Sequence, residues 1–319
     1  MSYADKVFIQ NCRDILENGV SDEDLDVRPR WEDGTPAHTV KKFGIVNHYD
    51  LQKEFPILTL RRQYLKSAVD ELLWIWQKHS NNIKDLGSHV WDQWADNHGS
   101  IGKAYGYQMS VCYPFKDVTD EGLVKAFPGA KFHKTYDGAD RCYDSENDGR
   151  TIAWVDSKGT WQMCQIDKVI YDLVNNPASR RILTSLYNFA DLDQMALYPC
   201  AYSMTFNVTG NKLNGILNQR SQDMLTANGW NVMQYAALLT MVAQATGLIP
   251  GELIHVIADC HIYDRHIPMV EELLEKEPFD APTVTLDPDI RDFYKFTKDS
   301  FTVSGYRYHD IEGKIPVAV

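Results

Sequence analysis

The sequence predicts an α+β fold, with strands and long apolar helices sharing one core. Two kinds of stretch carry that expectation. Within "LYPCAYSMTFNVTGNKLNGILNQRSQDM" (197–224), Tyr202, Met204, Phe206 and Val208 alternate with Ser203, Thr205 and Asn207. That is the period of a strand with one buried face. "LKSAVDELLWIWQKHS" (65–80) and "NVMQYAALLTMVAQATG" (231–247) are apolar at helical spacing, the second on nearly every side, as in a buried helix.

The elements follow in order. Residues 2–18 place Val7, Phe8, Ile15 and Leu16 on one helical face, and Asn18-Gly19 ends the helix. "VRPRWEDGTPAHT" (27–39) is broken by Pro and Gly and reads as an ordered loop. In 65–80, Leu65, Val69, Leu72, Leu73 and Trp76 form the stripe, and Glu71 stands among them. Residues 89–108 hold two tryptophans and three glycines and read as loop. Residues 112–163 have weak periodicity and read as an inserted excursion of the same domain, with a strand, turn and strand at 150–163. Residues 165–175 return to helix before Pro177. Thr209-Gly210-Asn211 is turn chemistry, so 212–218 runs back as the partner of 202–208. "ELIHVIADCHIYDRH" (252–266) begins as a buried strand. The organisation expected is one domain over 1–319.

Net charge is −12, which argues against a broad nucleic-acid-binding face. The first residues lack an apolar signal core, and no run approaches the roughly 20 apolar residues of a membrane span. Cys12, Cys112, Cys142, Cys164, Cys200 and Cys260 are scattered with no C-x-x-C pair. They read as reduced thiols of a cytoplasmic protein.

Two groups carry candidate chemistry. Cys200 follows Tyr198-Pro199, and the 202–218 hairpin is long enough to bring Arg220 back beside it. A guanidinium next to a thiol favours the thiolate, which is the nucleophile. From these residues alone a buried structural thiol and a surface arginine are the commoner reading, since free Cys is usually a small core residue. Glu71 reads either as an outward-facing acid or as a carboxylate held in a cleft, where desolvation raises its pKa. His255, His261 and His266 do not have a recognised metal-ligand spacing, so no metal is expected.

In that order and spacing, "DELLWIWQ", "VWDQWADNHGSIGKAYGYQ", "NNPASRRI", "YPCAYSMTFNV", "QRSQD", "WNVMQYA", "DCHIYDRH" and "IPVAV" resemble the thymidylate synthase family across almost the whole chain outside 112–163. The resemblance implies a large mixed sheet packed on long helices in a homodimer. It also implies reductive methylation of deoxyuridylate (dUMP) to thymidylate by 5,10-methylenetetrahydrofolate. It implies Cys200 as nucleophile, with Glu71, Tyr105, Arg220, Asn231 and Asp223 catalytic. For the nucleotide it implies Arg28, with Arg30 as rival, and Gln219, Arg220, Ser221, Asn231, His261 and Tyr263. Arg180 and Arg181 would reach the partner's phosphate site. For the folate it implies Trp91, Trp94, Asp223, Ala227, Trp230 and Val319. An amide such as Asn231 offers a donor and an acceptor, which suits O4 and N3–H of uracil.

The chain departs from the family pattern at Ala201, at Thr226-Ala227-Asn228-Gly229 on the folate wall, and at Ala258. Three other readings are open. A pyrimidine nucleotide hydroxymethylase would share Cys200 and the folate but let water capture the methylene. With cytosine as its base, Asp rather than Asn231 is expected. A zinc deaminase would need P-C-x-x-C, and Ala201-Tyr202-Ser203 lacks the second Cys. A non-catalytic nucleotide binder would have no need of Cys200, Arg220, Glu71 and Tyr105 together.

Overall fold

The computed structural model describes residues 1–134, 140–311 and 313–319. Along the chain run α1 (Tyr3–Asn18), β1 (Val20–Ser21), β2 (Thr39–Asp50), α2 (Leu65–Trp76), α3 (Gly106–Ser110) and β3 (Cys112–Phe115). Next come α4 (Asp120–Ala126), β4 (Ala130–Lys134), β5 (Asp140–Asp144), β6 (Arg150–Val155), β7 (Trp161–Cys164) and α5 (Gln165–Asn175). The rest is β8 (Leu183–Ser185), β9 (Ala201–Thr209), β10 (Lys212–Asp223), α6 (Asn228–Ala245), β11 (Ile249–Tyr263), α7 (Ile267–Leu274), β12 (Thr283–Leu286) and β13 (Phe301–Ser304).

The main sheet has the order β1-β2-β11-β10-β9-β8, with only β10 and β11 parallel. It is the expected mixed sheet. α6 carries the parallel crossover from β10 to β11 and is buried along Val232–Leu239 and Met241–Ala243. An apolar helix is needed there because one side packs on the sheet and the other on α2.

The expected elements are present, with corrections at their ends. α2 stops at Trp76 rather than at residue 80, because His79 takes φ +53°. The loop expected at 89–108 contains a single 3₁₀ turn at Asp92–Trp94 and ends in α3. β2 had no counterpart in the sequence reading, since Lys41, Lys42, Gly44 and Asn47 break its apolar pattern. The largest correction is at 112–163. In place of one strand pair, an antiparallel sheet of order β3-β7-β6-β5-β4 stands there, with α4 beside it. Its strands are short, and polar residues such as Asp144 and Gln162 are buried among their apolar ones, which conceals their periodicity.

That second sheet closes on a buried charge. Asp167 on α5 is fully enclosed; Arg150 Nη1 donates to its Oδ2 at 2.6 Å and the Tyr294 hydroxyl to its Oδ1 at 2.8 Å. The Arg150 guanidinium also lies 3.5 Å above the Tyr294 ring. A guanidinium and a phenol thus supply partners to a carboxylate that water does not reach.

Candidate active site

The β9–β10 pairing decides where the cysteine meets the arginine. The ladder runs regularly from Lys212↔Thr209 to Asn218↔Ser203, then skips Tyr202 so that Gln219 faces Ala201. This bulge moves Arg220 opposite Cys200, and the Arg220 N–H donates to Cys200 O at 2.9 Å. Arg220 Nε and Nη2 donate to Pro199 O (3.1 Å) and Tyr198 O (2.8 Å), and Nη2 also faces Cys200 Sγ at 3.7 Å. The thiol is half-exposed. Burial pushes its pKa up, while the Arg220 and Arg28 charges pull it down without cancelling the rise. The expected arginine is beside the thiol and acts toward the thiolate, but the two guanidiniums offset desolvation only in part.

Arg28 and Arg30 part company in the N-terminal loop. The Arg30 guanidinium turns back on the loop, donating to Val27 O, Pro29 O and Asp26 Oδ1. Arg28 is exposed, and its charge acts on both Cys200 and Tyr263. The backbone of Arg30 pairs with the chain end in both directions, N–H to Val319 O (2.9 Å) and O to Val319 N–H (3.0 Å). Val319 is thus tied to the loop that carries Arg28.

Parallel pairing of β10 with β11 sets Asp223 beside His261 and Ser221 beside Asp259. The His261 and Tyr263 rings stand 5.0 Å apart, and His261 Nδ1 contacts Asp259 Oδ1 at 2.7 Å. Both oxygens of Asp223 are already engaged. Oδ1 accepts from Leu225 N (2.8 Å) and Thr226 N (3.2 Å), and Oδ2 from the Thr226 hydroxyl (2.5 Å). Burial opposes its charge, but His266, His261 and Thr226 hold its pKa down at about 2. The carboxylate therefore shapes the 223–227 turn, and Ala227 N donates to Asp223 O at 3.1 Å before α6 begins.

Glu71 points inward from α2 and is buried. Its neighbours are neutral: Trp230 Nε1 donates at 2.9 Å, and Gln234 and Trp91 also donate to it. Desolvation outweighs those hydrogen bonds and lifts its pKa to about 7. Trp91 packs edge-on against Trp94 (5.5 Å) and against Tyr105 (4.9 Å). Tyr105 Oη accepts the Cys200 N–H at 3.1 Å, so one aromatic chain joins the acid to the thiol. Tyr105 takes φ +44°, a strained setting for a non-glycine residue. It is followed by Gly106, where any Cβ would lie 1.9 Å from Ser80 O.

An amide chain forms the floor. Gln219 Nε2 donates to Ser221 O (2.9 Å) and Asn231 Oδ1 (3.1 Å), Asn231 Nδ2 to Gln234 Oε1 (3.2 Å), and Gln234 Nε2 to Ala68 O (3.2 Å). Sequence reasoning missed Gln234. Its signal was a polar amide in a helix apolar on nearly every side, three residues after Asn231.

Arg180 and Arg181 are not brought to Cys200. Both are exposed before β8 and line a separate cavity of about 840 Å³ with Lys116 and Lys168. Among the described residues no cluster of three or more His, Cys, Asp or Glu side chains is arranged to hold a metal. No helix of the described residues is long and apolar enough to cross a membrane.

The thymidylate synthase family model matches residues 6–319. The chain belongs to the thymidylate synthase family. Membership makes it a methyltransferase. Thymidylate synthases of Bacillus subtilis subsp. natto and of Bacillus phage phi3T are each 38% identical to it over 314 residues, covering 97% of this chain and 97% of theirs. The solved structure of the thermostable thymidylate synthase A from Bacillus subtilis matches with a TM-score of 0.80 at 37% identity, covering 100% of both chains.

Proposed function

We propose that this thymidylate synthase family member converts dUMP to thymidylate with 5,10-methylenetetrahydrofolate as co-substrate. The observation that carries the reading is one connected set of side chains, with Cys200 and Arg220 at one end and a titrating Glu71 at the other, joined through Tyr105 and Trp91. The Cys200 thiolate adds to C6 of uracil, and C5 becomes the nucleophile as charge moves to O4. Glu71, with a pKa near neutrality, handles the proton at the O4 side. Tyr105 stands where a proton must leave C5. The folate, when bound, supplies the methylene carbon and the hydride that reduces it to methyl.

The residues present fit both ligands. Arg28, Arg220 and Ser221 offer a fork and a hydroxyl for the phosphate. His261 and Tyr263 take the ribose, and Gln219 and Asn231 the pyrimidine edge. Trp91, Trp94, Ala227, Trp230 and Val319 wall the folate. Buried Asn228 Nδ2 and Gln63 Nε2 have no partner among the described residues, and they suit a flat ring with polar edges. Asp223, with both oxygens engaged, serves by holding that wall rather than by moving a proton.

The active unit we infer is a homodimer over one domain per chain, located in the cytoplasm. Exposed Phe43, Val46, Leu183 and Ile216 on main-sheet strands suit a second copy, and Arg180 and Arg181 precede β8 on its edge. Mixing Cys200→Ala with Arg181→Glu chains tests the crossing. Recovered activity toward one site per mixed dimer is expected; none, with exchange verified by native mass spectrometry, refutes it. The test of the reaction is product identification by mass spectrometry. Thymidylate with dihydrofolate one for one supports it, whereas 5-hydroxymethyl-deoxyuridylate without dihydrofolate makes the chain a hydroxymethylase.

A further inference from the structure

The amide chain on the site floor continues beyond Gln219. His255 Nε2 lies 2.8 Å from Gln219 Oε1, and the imidazole is fully enclosed on β11. Two backbone carbonyls fix the direction of every link. Gln219 must turn its nitrogen toward Ser221 O, so its oxygen faces His255. Gln234 must turn its nitrogen toward Ala68 O, so its oxygen faces Asn231. Asn231 between them then has its oxygen toward Gln219 and its nitrogen toward Gln234. Since Gln219 presents an acceptor, His255 must be the donor, in the Nε2–H tautomer. Burial pulls its pKa down to about 3, so it donates as a neutral ring. Its Nδ1 has no hydrogen-bond partner among the described residues, so Gln219 is the contact that orients it.

This direction matters for base choice. With Oδ1 and Nδ2 so placed, Asn231 has a spare lone pair for N3–H and a spare N–H for O4, the pattern of uracil. Cytosine presents the reverse, and only a turned-over Asn231 matches it. Turning it over sets oxygen against Gln234 Oε1 and nitrogen against Gln219 Nε2, losing two buried hydrogen bonds. That penalty lasts only while Gln219 is itself held from both sides.

We propose that His255, which lies behind the base-reading amides, is a specificity-determining positioning residue: its Nε2–H clamps Gln219 and so keeps Asn231 in the orientation that accepts uracil and rejects cytosine. The inference rests on Asn231 reading the base, as in the proposed function. His255→Leu fills the site but removes the donor, and Gln219 Oε1 is left a buried orphan. Its ratio of kcat/KM for dUMP over dCMP is expected to fall about tenfold or more, the scale of one lost buried hydrogen bond. His255→Gln, which again offers an N–H, recovers most of it. The same ratio taken from nucleotide Kd values does not need turnover, so it separates this inference from the reaction assignment. If Asn231→Ala leaves the Kd ratio unchanged, the reading of Asn231 fails. If it changes the ratio and His255→Leu stays within twofold of wild type, the role of His255 fails alone. Should His255→Leu not fold, nitrogen-15 NMR of histidine-labelled wild type decides: an Nε2–H ring unchanged from pH 6 to 8 supports the clamp, and an Nδ1–H or titrating ring overturns it.

Discussion

Two buried acids sit in different regions and are held in opposite ways. Asp167, beneath the second sheet, meets a cation at 2.6 Å and a phenol at 2.8 Å. Glu71, on the floor of the cleft, meets only neutral donors, Trp230, Trp91 and Gln234. A buried acid paired with a guanidinium is a piece of scaffold, because removing either charge strands the other. A buried acid given hydrogen bonds but no counter-charge keeps its proton into the neutral range and can exchange it. The second sheet uses its charge to close; the candidate site leaves its acid without a counter-charge.

The largest effect expected is at the thiol. Cys200→Ala should abolish turnover yet bind dUMP, since the phosphate and base contacts come from other residues. Turnover within about tenfold of wild type would show that the nucleophile lies elsewhere.

Next comes the direct exchange of the two acids. Glu71→Gln should lower kcat by about 10²–10⁴-fold, with thermal stability equal to wild type or higher. Asp167→Asn should do the reverse. Breaking its pair with Arg150 should cost about 3–5 kcal/mol by denaturant melts, with activity per folded molecule nearly unchanged. If both variants lose stability and keep activity, the contrast between the regions is wrong.

The pH dependence sharpens the same point. The folded pKa of Glu71, about 7, lies above its ordinary 4.5, so the folded chain keeps a proton that the unfolded chain has lost. Relative to Glu71→Gln, wild-type stability should therefore fall as pH rises from about 4.5 to 7, by on the order of 3 kcal/mol, and level off above. A flat difference across that window would mean that Glu71 is ionised throughout.

The smallest effect separates two arginines. Arg28→Ala should raise KM for dUMP about tenfold or more, losing a charge-assisted phosphate contact. Arg30→Ala, whose guanidinium serves the loop, should change it by less than about threefold. Equal effects would mean that the loop, and not Arg28, is what the phosphate needs.

Much of the site was legible along the chain because the chemistry lies in short motifs on regular elements. A Pro-Cys before a period-two strand, a turn, and an arginine at hairpin distance already brought Cys200 toward Arg220. The second sheet was not legible. Its strands are four to six residues long, and polar side chains such as Gln162 and Asp144 are buried in it. Gln162 is met by Asp156 and Asp144 by Arg150 across turns, and Asn147, which donates to Asp144, also reaches Asp292 far along the chain; none of these pairings shows in a strand pattern.

By itself, then, the sequence determined the α+β class, the helices α1, α2, α5 and α6 and the β9–β10 hairpin, and it named the candidate reactive groups. Periodicity and turn residues are local, and a nucleophile is a property of one side chain. Tertiary structure decided what those groups do. A bulge that skips Tyr202 put Arg220 opposite Cys200. Burial without a counter-charge set Glu71 to titrate near neutrality, whereas Asp167 was brought against Arg150. Loop folding turned the Arg30 guanidinium back on its own loop and left the Arg28 charge acting on Cys200. The physical reason is common to all three. Desolvation, Coulomb fields and hydrogen-bond direction depend on which atoms meet across the fold, and residues far apart in sequence supply those atoms.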